Sequence, residues 1–128
     1  MVAEGIISSL LPANNEVLCW NKHPECIQLA NKMGTTLSAA AVEFWRPQLS
    51  GAVVAVGNAP TTLFRLLELL AQGEEPPAVI FGFPVGFVGA LESKELLVNQ
   101  CRKRVPFMTL SKRRGGSAMA AAAVNAVA

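Results

Sequence analysis

The sequence has no aspartate and no tyrosine; all nine of its acidic residues are glutamates, and it has one histidine. Charged residues make up 16% of the 128 positions and aromatic ones 6%. These shortages narrow the chemistry available. Proton transfer near neutral pH falls to His23, a cysteine or a perturbed glutamate. The three cysteines, Cys19, Cys26 and Cys101, form no CxxC pair, and their odd number argues against a disulfide framework. They read as buried or idle thiols of a reducing compartment. Cys19, His23 and Cys26 offer three metal ligands at unhelpful spacing around Pro24, so no metal site is expected. No apolar run approaches the roughly 20 residues of a membrane-spanning helix. The first residues, Met1 to Gly5, lack the basic start of a signal peptide. The expected location is the cytoplasm, with no membrane partner.

Hydrophobic residues reach 52% of the chain, and the mean hydropathy is +0.38. That excludes intrinsic disorder, which needs low hydrophobicity and high net charge. The length suits one domain over residues 1–128 with one sizeable core. The net charge of +2 conceals an asymmetry. Residues 1–95 hold 5 basic and 9 acidic side chains, whereas residues 96–128 hold 6 basic and none acidic. The six basic residues cluster as Arg102-Lys103-Arg104 and Lys112-Arg113-Arg114. Such clusters attract polyanions. Phe107 is the one aromatic between them, too little for stacking on single strands, so nucleic acid is not the expected partner.

Short apolar runs alternate with helical patterns. Val17–Trp20 is a short strand candidate. Ile27–Met33 reads as a helix stopped at Gly34, and Thr35 or Thr36 caps another through Ser38–Trp45. The run from Gly51 to Val56 predicts a strand buried on both faces, and Pro60 then opens a leucine-rich helix that reaches Gly73. Ala78–Phe81 and Pro106–Leu110 are further strands, and helices are expected over about 88–102 and over Ser117–Val127. Three strand–loop–helix units predict an α/β fold, a three-layer sandwich with a mostly parallel sheet flanked by helices. Ligands of such folds sit beyond the carboxyl ends of the strands. The loops 57–61, 82–89 and 111–117 would share that edge.

All three loops carry unusual residues. Gly57-Asn58-Ala59-Pro60-Thr61-Thr62 joins a tight turn to a helix start, where free amides and the Asn58 side chain can meet a ligand; an ordinary turn with an Asn cap reads equally well. Gly82-Phe83-Pro84-Val85-Gly86-Phe87-Val88-Gly89 combines close backbone approach with Phe83 and Phe87, which suit a flat apolar ligand. It lacks the GxGxxG spacing of a dinucleotide site. In Lys112-Arg113-Arg114-Gly115-Gly116-Ser117 the basic residues stand at a helix start, where the dipole repels them, so an anion should offset that.

These stretches resemble the precorrin-8X methylmutase family, also known as cobalt-precorrin-8 methylmutase, of the corrin branch of cobalamin biosynthesis. The family's GNAPTALFRLLEL run stands here as Gly57–Leu69, with Thr62 for alanine. Its PVGFVGAAESKE run is Pro84–Glu95, with Leu91 for alanine, and its RRGGSAMAAAAVNAL ending is Arg113–Val127. Weaker agreement covers Met1-Val2, Gly5-Ile6, Asn15–Cys19 and Ser38–Ala41. The resemblance implies an isomerase that moves a methyl group from C-11 to C-12 of a corrin precursor without a dissociable cofactor. It also implies α/β homodimers with substrate near the subunit interface. The substrate is a large apolar ring rimmed with carboxylates. On that basis Arg113, Arg114 and the amides of Gly115, Gly116 and Ser117 are expected to pair with carboxylates. Phe83, Val85 and Phe87 would face the ring, and Asn58, Thr61 and Ser93 would hydrogen-bond its acetate or propionate groups.

Two departures stand out. The 128 residues match the family's C-terminal part, and about 80 N-terminal residues have no counterpart here. That segment carries the histidine that acts as the acid in the family; His23, in Lys22-His23-Pro24, does not match its motif and is not expected to replace it. The second departure is Leu37, where family members commonly carry an arginine. The alternatives are a fragment from a misplaced start or split gene whose acid comes from another segment, an inactive corrinoid-binding paralogue, or a differently used module that kept the scaffold. The expected partner is a second copy in a homodimer or a complementing N-terminal segment.

Overall fold

The computed structural model describes residues 1–86 and 88–128, so Phe87 lies outside the described residues. Its centre is a three-stranded sheet in the order β1-β2-β3, with β1 at Val53–Asn58, β2 at Val79–Pro84 and β3 at Phe107–Thr109. Both pairings are parallel, with Val53 opposite Val79, Asn58 opposite Pro84, and Ile80 opposite Phe107. Parallel neighbours need a crossover, and helices supply it: α4 at Pro60–Ala71 between β1 and β2, and α5 at Ala90–Cys101 between β2 and β3. The last helix, α6, spans Ser117–Val127. Ahead of the sheet lie the single turn α1 at Val2–Gly5, then α2 at Pro24–Met33 and α3 at Leu37–Glu43.

Local chemistry sets most boundaries. Pro60 occupies the first turn of α4, where a missing N–H is harmless. Pro24 does the same for α2, which therefore begins three residues before the expected Ile27. Gly34 ends α2 at φ 65°, a left-handed cap. Thr36 caps α3 by accepting a hydrogen bond from the Ala39 amide at 3.1 Å. The helix is shorter than expected, because the chain passes at Arg46-Pro47 into a single 3-10 turn.

The sheet divides two apolar cores. On one face Val54, Val56 and Ile80 meet Leu63, Leu66 and Leu67 of α4, with Leu97 and Cys101 of α5. Each such fully buried leucine stabilises the fold by roughly 1.5–3 kcal/mol. On the other face Phe81 and Phe83 pack on Ala120 and Val124 of α6, with Val2, Ile6 and Leu11 around them. Helices thus cover both faces, the expected three-layer arrangement. A satellite cluster of Cys26, Ala30, Ala40 and Ala41 joins α2 to α3 under Trp20 and Phe44.

Two interactions tie distant segments. The Asn125 side chain accepts from the Ile7 amide at 2.9 Å and donates to the Gly5 carbonyl at 3.0 Å, fastening the first turn to α6. Glu43 of α3 accepts from Arg46 at 2.9 Å and from Arg65 of α4. Arg46 also pairs with Glu74, and Arg65 with Glu68.

Two strand expectations need correction. Val17–Trp20 forms no strand and joins no ladder. A short apolar run becomes a strand only beside a neighbour, and β1 pairs on one edge only, with β2. Nor is β1 buried on both faces, because the layer on the α6 side covers it only in part. Val53 is 50% exposed and Ala55 is half-buried, whereas central β2 is buried from Ile80 to Pro84.

Candidate functional site at the carboxyl ends of the strands

The first and third loops of the sequence reading, with Val85 of the second, converge beyond β1 and β2. Asn58 ends β1 in a left-handed conformation, φ 63°, tolerated by Asn better than by most residues. Its carbonyl accepts from the Val85 amide at 3.2 Å, joining the ends of the two strands. The Phe83 carbonyl accepts from the Gly116 amide at 2.8 Å, which seats the start of α6 on β2. A β-carbon on Gly115 would collide with that same carbonyl, so this close approach requires glycine. Gly57 is equally constrained: a β-carbon there would lie 2.7 Å from the Ser117 Cα. A β-carbon on Gly116 would lie 3.7 Å from Asn58 Oδ1 and 4.0 Å from Val85 Cγ1. Asn58, Val85, Gly115, Gly116 and Ser117 therefore form one neighbourhood.

The Gly116 amide, expected to meet a carboxylate, is instead spent on the Phe83 carbonyl. Gly116 caps α6 without a side-chain hydrogen bond, so the first amides of the helix from Ser117 onward and the positive end of its dipole face this edge. Lys112, Arg113 and Arg114 are exposed in the turn just before it. Beneath the turn lies Lys94 of α5, only 3% exposed. Its Nζ donates to the Lys112 carbonyl at 3.0 Å and to the Arg114 carbonyl. Burial pushes the Lys94 ammonium below the ordinary lysine range.

Other expected site residues lie elsewhere. Phe83 is 4% exposed and belongs to the core against α6. The expectation that it faces a ring-shaped ligand fails because the pleat of β2 turns its side chain onto the helix. Ser93 is fully buried, and its Oγ donates to the Ala90 carbonyl one turn back at 2.9 Å, so it offers nothing to a ligand. Thr61 is exposed, and its hydroxyl is 2.9 Å from that of Thr36. It faces a hollow of about 290 Å³ with Met33, Thr35 and Phe64, between α4 and the α2–α3 pair. His23 is exposed at the start of α2 with its ring 4.6 Å from that of Trp20. Leu37 is 41% exposed. Among the described residues no group of three or more His, Cys or Glu side chains could hold a metal ion.

Sequence reasoning missed two features. One is Lys94, because a lysine on a helix is normally solvated. The other is a cleft of about 870 Å³ along the open edge of β1, within the range of small-molecule sites. It runs from Val2, Leu18 and Trp20 past Val53 and Ala55 to Asn58 and Ser117, so it opens onto the neighbourhood described above. His23 is not among its lining residues. Among the described residues no helix is long and apolar enough to cross a membrane.

Fold and site define a three-layer α/β protein whose basic, glycine-rich turn caps the carboxyl ends of a parallel sheet. The family model for precorrin-8X methylmutase matches residues 1–128, and the chain belongs to that family. It is 57% identical over all 128 residues to a precorrin-8X methylmutase of Pseudomonas aeruginosa, covering 61% of that protein. Identity to a precorrin-8X methylmutase of a Sinorhizobium species is 52%, again over the whole chain and 60% of the relative. The crystal structure of precorrin-8X methylmutase from Thermus thermophilus superposes with a TM-score of 0.84 at 40% identity, covering 99% of this chain and 60% of that one. The chain thus spans about 60% of the length of these relatives.

Proposed function

We propose that the chain supplies the substrate-holding part of a corrin-ring isomerase. The reaction moves a methyl group from C-11 to C-12 of precorrin-8X or cobalt-precorrin-8, giving hydrogenobyrinate or cobyrinate. The observation that carries this reading is the junction of Asn58, Val85 and Gly115–Ser117 beside an exposed basic turn, within a chain matched to the family along its whole length. Arg113, Arg114 and the first amides of α6 pair with the carboxylates that rim the macrocycle, while Val85 and the cleft along β1 meet its apolar body. No dissociable cofactor enters, and neither nucleic acid nor a membrane is a partner. The protein works in the cytoplasm as one methylmutase-like domain, within a homodimer or with a complementing N-terminal segment.

One observation favours a second reading, corrinoid binding without turnover by this chain alone. Its single histidine sits on Trp20 at the start of α2, outside the cleft. No other imidazole is present to protonate the ring. A paired assay separates the readings. The chain is given precorrin-8X with and without the N-terminal part of the Pseudomonas aeruginosa relative, and hydrogenobyrinate formation is followed by its absorbance. Turnover only with the added segment is the expected result. Salt-sensitive hydrogenobyrinate binding without turnover in either arm supports the binding reading. Neither binding nor turnover overturns both.

A further inference from the structure

Lys94 is the clearest group in the chain with no role in the scheme above. Lys94 is 3% exposed, yet among the described residues no carboxylate lies within ion-pair distance of its ammonium. A buried charge without a counter-ion is unfavourable, and lysine is rarely found so. Its ammonium donates to two backbone carbonyls, those of Lys112 and Arg114. They bracket Arg113 and belong to an exposed turn in which every side chain from Lys112 to Arg114 is basic. One buried cation therefore holds three surface cations in place from below. The lock thus sets a fourth positive charge beneath three others. The arrangement becomes favourable when a polyanion lies over the turn.

We propose that Lys94 is a positioning residue for carboxylate recognition: its two hydrogen bonds lock the 112–114 turn to α5 and hold it in register with the start of α6. The carboxylate ligand rests on the functional reading above; the lock itself does not. An ammonium has three donors, and Lys94 spends two of them on carbonyls separated by one residue. That spacing fixes the turn at both ends. Loss of the lock releases the backbone of the 112–114 turn from α5, and the turn no longer holds its register with the start of α6 at Ser117.

The test uses the whole chain and two readouts. Trypsin cuts after Lys112, Arg113 and Arg114, so the rate of cleavage there, assigned by fragment mass, reports how firmly the turn is held without any ligand. The second readout is the dissociation constant for hydrogenobyrinate. Lys94→Met removes both hydrogen bonds and is expected to speed cleavage in the turn about tenfold and to weaken hydrogenobyrinate by a similar factor, as for hydrogen bonds made by a charged group. Lys94→Gln keeps an N–H donor without the charge and is expected to restore much of the protection. It also keeps the test open should Lys94→Met fail to fold, since intermediate cleavage by this variant supports the lock. Cleavage within twofold of wild type in every folded variant overturns the proposal. Faster cleavage in a chain whose wild type binds no hydrogenobyrinate leaves the lock standing and overturns the functional reading instead.

Discussion

The two faces of the sheet are built from different materials. On one, Val54, Val56 and Ile80 meet a leucine-rich α4 backed by α5 and α3, and the leucines there are almost wholly buried. On the other, one alanine-rich helix, α6, and the single turn α1 cover Phe81 and Phe83 and leave Val53 half in solvent. Ile7, Leu10 and Val127, which flank this second layer, are each about half exposed or more. The leucine face is complete in this chain. The alanine face is a thin layer beside an open strand edge, and it borders the cleft that leads to the basic turn. The chain spans 61% of the Pseudomonas aeruginosa relative, and among the described residues β1 has one edge of the sheet unpaired.

The largest effect that tests this contrast is core truncation. Leu66→Ala, on the leucine face, should lower unfolding free energy by about 2–5 kcal/mol, and Val124→Ala, on the alanine face, by about 1 kcal/mol. Denaturant titration of both variants checks this, and equal losses would erase the difference between the faces. An intermediate effect is expected at Glu43, which sits behind the leucine face. Burial pushes its carboxyl up, but the hydrogen bonds from Arg46 and Arg65 outweigh that and hold it below the ordinary value. A lowered carboxylate contributes stability at neutral pH that fades as pH falls through the lowered folded value. Glu43→Gln should cost about 1–2 kcal/mol at pH 7 and little at acid pH; a loss that persists unchanged below the folded value would remove the ionic explanation. The smallest effect is at the open edge. Val53→Lys should change stability by no more than about 0.5 kcal/mol. The same change should shift light scattering from self-associated to smaller species, because lysine blocks edge pairing. A wild-type chain already monodisperse and monomeric at micromolar concentration would show that the edge is not sticky.

The parts legible in the sequence were those governed by neighbouring residues. Thr36 caps a helix, Gly34 ends one and Pro60 opens one because capping acts within a turn of chain. The three βα units were legible through apolar runs of strand length. The parts that were not legible depend on what lies across space. An apolar run does not say whether both faces will be covered, so β1 and β2 read alike although one is an edge and the other central. Phe83 and Ser93 stand in stretches of the right composition, yet Phe83 on β2 points into the core and Ser93 on α5 bonds its own helix. Lys94 gave no local signal, because its partners are carbonyls 18 and 20 residues away. Asn58, Val85, Gly116 and Ser117 do meet, and Gly57, Gly115 and Gly116 mark where the backbones must touch.

The Asn125 clamp has a consequence for the order in which the chain is made. Its two hydrogen bonds join Gly5 and Ile7 to a residue about 120 positions later. Contacts of such separation carry the largest loop-closure entropy and form after the local ones. During synthesis the βα units through α5 can assemble while the first turn still lacks its partner helix. The alanine layer closes only when α6 has left the ribosome. A chain that has not yet released Asn125 therefore leaves Gly5 and Ile7 untied.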